Sequence, residues 1–148
     1  MMHRFAQFVF VTAAFLLASP AYAERSVVLV TNDSCAMRTI SMLDVRKAYF
    51  GIEVRYQGSS IRAFRLMNDD VLGRVFYQSV VVMSEKTYER RLLLQLLKYG
   101  QPRPREFRSV VDLVSVLSVS GCGIAYMWSR DAAAQDGLKT LRVLWKES

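Results

Sequence analysis

The sequence predicts one α/β domain, a mixed sheet flanked by helices, from three observations. Short apolar or alternating runs at 27–30, 61–67, 124–128 and 141–145 have strand character. Other segments carry apolar residues every three or four positions, opened by Ser, Asn or Asp and several of them closed by Gly. Strands and helices alternate, which places helices over a sheet. The later helices follow one another without strands between them, so a mixed sheet is expected rather than a parallel one.

In chain order, Val27 to Val30 is a continuous apolar run, as in a strand covered on both faces, and Thr31-Asn32-Asp33-Ser34 is a polar loop after it. Ser41 is an expected N-cap with Asp44 at the third helical position. Its helix carries Met42, Val45, Ala48 and Tyr49 inward and stops at Gly51. Glu53 to Tyr56 is extended and closes in the Gln57-Gly58 turn, and Ile61 to Met67 is a strand. Asn68 is the expected cap of the next helix, with Asp69 and Asp70 at its positive end. Leu72, Val75, Phe76, Val80 and Met83 form that helix's inner face.

Ser84 opens another helix, with Tyr88, Leu92, Leu96 and Tyr99 as one stripe and Gly100 and Pro102 as the stop. Gln101 to Arg105 is a basic extended loop, for which Arg103, Arg105 and Arg108 mean either a partner or lipid contact or a solvated surface. Ser109 and Asp112 repeat the capping pattern before a helix through Val119. Gly121-Cys122-Gly123 turns into the strand Ile124 to Trp128, and Asp136-Gly137 turns into the strand Leu141 to Trp145.

Residues 1–23 have the three parts of a cleavable secretory leader: Arg4, an apolar run from Phe5 to Ala18, and Ala21-Tyr22-Ala23 before the cut. The apolar run spans only ~21 Å as a helix, short of the ~30 Å hydrocarbon core, so no membrane-spanning segment is expected after cleavage. The expected organisation is a signal peptide at 1–23 and one domain at 24–148, exported to the periplasm. About 125 residues bury about two thirds of their unfolded surface as one domain. The chain has 20 Lys+Arg and 13 Asp+Glu, a net charge of +7, lowered by one when Arg4 leaves. Outside the cytoplasm that balance points to small anions, anionic lipid or an acidic partner, and not to nucleic acid.

The two cysteines, Cys35 and Cys122, are either a disulfide, which an oxidising compartment permits, or two buried thiols. A bridge would close a loop of roughly 88 residues and stabilise by up to ~4–5 kcal/mol in the chain-entropy model. The single histidine, His3, leaves with the leader. Without it there is no usual Ser or Cys triad, and two cysteines do not close a zinc site. No phosphate-binding glycine loop or nucleophile elbow is present, and Asp33, Asp69 and Asp70 read more simply as loop and cap residues than as a glycosidase pair. No catalytic residue, metal or cofactor is assigned, and the expectation is a protein that is not an enzyme.

Five pieces, taken in order, carry a resemblance over roughly 26–145. They are Val-Val-Leu-Val with its loop, Ser-Met-Leu-Asp-Val-Arg-Lys-Ala-Tyr-Phe-Gly at 41–51, Tyr56-Gln57-Gly58-Ser59-Ser60-Ile61, Arg74-Val75-Phe76-Tyr77, and Gly121-Cys122-Gly123-Ile124-Ala125-Tyr126. Together the chain resembles short single-domain relatives of the periplasmic phosphate-binding subunit of ABC importers. The resemblance implies a periplasmic-binding-protein-like (type II) domain and recognition of phosphate or another small anion by loop backbone and hydroxyls. Where that family opens a helix with a Ser-Gly-Thr-like stretch, this chain has Asn68-Asp69-Asp70.

A ligand is expected where the first loop meets the helix start at 69, with Thr31, Asn32 and Ser34 as donors, Arg65 as a bidentate charge, and Asn68 beside them. The other reading of these residues is that the loop groups satisfy local turns and that Arg65 pairs with Asp69 or Asp70. The functional expectation is a solute-binding-like protein serving an ABC importer or sensor. The alternative is a ligand-less interaction module that docks on a membrane transporter, sensor kinase or cyclase.

Overall fold

The structure, a computed structural model, describes residues 25–148; the leader expected at 1–23 lies outside the described residues. The elements in order are β1 (Ser26–Asn32), α1 (Met42–Tyr49), β2 (Arg55–Tyr56), β3 (Ser59–Ser60), β4 (Ala63–Leu66), α2 (Asp70–Val75), a π-helical segment (Phe76–Val80), α3 (Glu85–Tyr99), β5 (Arg105–Phe107), α4 (Val110–Ser118), β6 (Ile124–Trp128), α5 (Ser129–Ala133) and β7 (Leu138–Lys146). Five strands form one sheet in the order β5-β4-β6-β1-β7, and β2 and β3 form a separate hairpin. β4 runs parallel to β5 and β6, whereas β1 runs antiparallel to β6 and β7. The mixed α/β architecture expected from the sequence is the one observed.

The central strands follow from composition. β4 and β6 are buried along their whole length, and β1 from Val27 onward, so their apolar residues need no alternation. The caps work as read: Ser41 accepts from the Asp44 N–H, Ser84 from Thr87 and Ser109 from Asp112. Each is worth about 1 kcal/mol. Gly100 ends α3 in the left-handed conformation (φ 65°), where a side chain would be strained.

Several local expectations change. Asp69, not Asn68, caps α2, because its carboxylate reaches the Val71 and Leu72 N–H groups at 2.7 and 3.1 Å while Trp128 Nε1 anchors its other oxygen. The helix after it widens into the π-helical segment, which rotates Tyr77 toward Arg65. The basic loop at 101–105 gives way to β5, a strand paired with β4 that three charged or aromatic residues do not advertise. The α3 stripe is buried only at Tyr88 and Leu92; Leu96 and Tyr99 are exposed because the helix runs past the body of the domain.

An aromatic cluster sits beneath the sheet. Phe76 stacks on Tyr126 at 4.8 Å between centroids and meets Tyr49 and Tyr88 edge-on. The phenols are satisfied: Tyr49 Oη donates to Phe64 O at 2.9 Å and Tyr88 Oη to Tyr49 O at 2.6 Å. Cys35 and Cys122 are bonded at 2.02 Å, tying the end of β1 to the turn before β6. Gly123 in that turn is tightly enclosed, since a Cβ there would lie 2.8 Å from the Phe64 ring and 3.0 Å from Leu117.

Candidate functional site

The sheet separates the residues expected to share a site. Val30 is level with Ala125, and Ala125 with Phe64, so the antiparallel β1 ends where β4 begins. Asn32 is therefore level with the start of β4, and Asn68 lies beyond its end. Six residues of strand at ~3.3 Å each separate them by roughly 20 Å. The expected meeting of the first loop with the helix start at 69 does not occur. A parallel β1 would have brought the two together.

The loop side chains instead close the lower end of the fold. Thr31 Oγ1 donates to Gly123 O at 2.7 Å. Asn32 Nδ2 donates to Leu117 O at 3.1 Å and to Gly121 O, while its Oδ1 accepts from the Cys35 N–H and from Ser34 Oγ. Thr31 and Asn32 are buried, so their donors face protein. These are the groups that buried polar chemistry requires to be paired, and they lock the disulfide-bearing turn.

Arg65, at the upper end, is the only fully buried charged side chain among the described residues, 1% exposed. Its guanidinium lies over the rings of Phe76, Tyr88 and Tyr77 at 4.2, 5.2 and 5.3 Å. Nη2 donates to Tyr77 Oη at 3.0 Å, and Nη1 stands 3.5 Å from Glu106 and 3.9 Å from Glu89. Neither Asp69 nor Asp70 is its partner, contrary to the sequence reading. Arg65 and Glu106 are register partners across β4 and β5, so the pair could be found only once β5 was known. Arg103 in turn bridges Glu89 and Glu106.

The electrostatics agree with this geometry. The Glu89 carboxyl is held below its ordinary range by the hydrogen bond from Arg103, against partial burial, with the Arg103 and Arg65 charges adding to it. Burial pushes the Tyr126 phenol up to about 12, although Arg65 pulls the other way. Burial also opposes ionisation of Asp69, yet the N–H groups of Leu72, Trp128 and Val71 outweigh it and hold that carboxyl low.

Arg65 Nε and Nη1 make no hydrogen bond. Arg65 also lines an open cleft of about 660 Å³, together with Asn68, Asp69, Asp70, Arg74, Glu85 and Arg108. Three cations and three carboxylates share that wall. Asp69 occupies the first N–H groups of α2, which an anion would otherwise use. Among the described residues no three His, Cys, Asp or Glu side chains are grouped to hold a metal ion.

A second surface feature has no counterpart in the sequence reading. Leu93, Leu94, Leu96, Leu97 and Tyr99 of α3 are all exposed, Leu97 at 72%. A shallow hollow beside them, about 220 Å³, is lined by Phe50, Ile52, Arg91, Leu94, Gln95, Lys98 and Tyr99. The missed signal was the run Leu92-Leu93-Leu94-Gln95-Leu96-Leu97, too apolar for one inward stripe.

With its order β5-β4-β6-β1-β7 and flanking helices, the domain is similar in fold to about half of a PstS protein. One such solved structure is PstS from Borrelia burgdorferi, similar with a TM-score of 0.52 and 13% identity over 80% of this chain and 47% of that one. The chain thus spans about half the length of that protein, and the likeness is one of fold. No family model and no curated protein matches the sequence.

Proposed function

We propose that this chain is an exported, non-enzymatic interaction module built on a single binding-protein lobe, which docks at the membrane on a transporter, sensor kinase or cyclase. The observation that carries the reading is the inward engagement of Thr31 and Asn32, the groups that were to hold a solute. A further fact supports it. Asp69 fills the helix start that would hold an anion. The leader at 1–23 and the disulfide Cys35–Cys122 support a periplasmic location.

Crosslinking followed by affinity recovery from membranes tests this. A defined membrane protein recovered without added solute is the expected result, and recovery only in the presence of a solute would remove the proposal.

One observation favours a second reading, recognition of phosphate or another small anion for an importer or sensor. Arg65 Nε and Nη1 lack hydrogen-bond partners beside a cleft that also presents Arg74 and Arg108. Calorimetry against phosphate, sulfate and small carboxylates decides it. No heat at millimolar concentration ends this reading.

A further inference from the structure

The outer part of α3 carries more apolar surface than the domain covers. From Leu92 to Tyr99 only Gln95 and Lys98 are polar, and only Leu92 is buried. A helix segment apolar on most of its circumference normally lies inside something. Here Leu93, Leu94 and Leu97 point away from the face that holds Tyr88 and Leu92, and Leu96 and Tyr99 lie beyond the end of the body. Exposed Ile52, across the shallow hollow from Leu94 and Tyr99, extends the same patch.

Charge selects what covers it. Lys86, Arg90, Arg91 and Lys98 are exposed along this helix, and none has a carboxylate partner among the described residues. The two carboxylates of α3 do not neutralise the patch: Glu85 lies at the opposite end of the helix, and Glu89 is taken by Arg103 and Arg65. A second copy of the chain would set four cations against four cations. Protein interfaces favour Trp, Tyr and Arg anchors and disfavour Lys and Leu. Leucines on a protruding ridge, flanked by Lys and Arg and ending in Tyr, match the composition of helices that lie in a membrane interface.

We infer that the C-terminal half of α3 seats the protein on an anionic bilayer surface, with Leu93, Leu94 and Leu97 entering the headgroup boundary and Arg90, Arg91 and Lys98 meeting lipid phosphates. This deepens the docking reading above by adding a lipid contact to it, and its test contains no membrane protein, so either can fail alone.

The purified mature protein is mixed with vesicles of phosphatidylcholine alone or with 30% phosphatidylglycerol, and bound protein is measured by co-sedimentation. Binding to the anionic vesicles only is expected, weakening as salt rises. Arg90→Ser with Lys98→Ser should weaken it about fivefold per cation removed. Leu93→Glu with Leu97→Glu, at positions 52% and 72% exposed and so harmless to the fold, should abolish it. Circular dichroism and a matching urea midpoint establish that the variants are folded. No binding, equal binding to both vesicle types, or undiminished binding by the Leu93/Leu97 variant would overturn the inference. So would capture of a protein partner through this face together with failure to bind lipid.

Discussion

Replacing Glu89 and Glu106 together by Gln leaves the Arg65 guanidinium buried with no carboxylate. Breaking a fully buried ion pair from one side costs ~3–5 kcal/mol, because the remaining charge stays desolvated. Here the carboxylates are themselves 36% and 42% exposed, so water already screens the 3.9 and 3.5 Å contacts. We therefore expect a loss of about 2–3 kcal/mol. With a urea slope of ~1–3 kcal/mol per molar, the unfolding midpoint should fall by about 0.7–3 M.

Arg65→Met keeps the stem volume and removes the charge. It forfeits the Tyr77 hydrogen bond and the contacts over Phe76 but also the desolvation cost, for a net change within about 1 kcal/mol. In the triple variant the two Gln substitutions should therefore cost little beyond the Arg65→Met change. The pH profile supplies an independent readout. Glu89 has a lowered folded pKa, so its contribution is fully present above the ordinary carboxyl value of 4.5 and is lost as pH falls below that through the folded value. Glu89→Gln should flatten the stability curve in that acid window. A double Gln variant as stable as the parent, or an Arg65→Met variant less stable than the double Gln one, would refute this account.

Two further outcomes follow from the turn before β6. Removing the disulfide, by reduction or as Cys35→Ala with Cys122→Ala, reopens a link spanning 87 positions and should cost up to ~4–5 kcal/mol, read from urea midpoints with and without reductant. Gly123→Ala must displace Phe64, Leu117 or Ser120, and a loss of about 1–3 kcal/mol is expected in the same assay.

Much of this fold is legible in local sequence because its signals are short-range. Caps at Ser41, Ser84 and Ser109, the Gly100 stop and the apolar runs of β1 and β6 each act within a few residues, and each is found where the pattern placed it. β5 was not legible: Arg105-Glu106-Phe107 has no strand pattern and becomes a strand only because β4 offers an open edge. The candidate site failed for a related reason. Its residues were expected to meet at one place, and where the end of β1 lies is decided by pairing between segments about 95 positions apart.

The sequence by itself determined the main helices, the long strands and the presence of two cysteines able to meet, since hydrophobic period and capping chemistry are properties of neighbouring residues. Only the tertiary structure decided that β1 runs against β6, that Arg65 answers to Glu106 and Glu89, and that half of α3 remains uncovered. Those outcomes depend on which surfaces meet across the sheet, and no local pattern encodes a partner that lies tens of residues away.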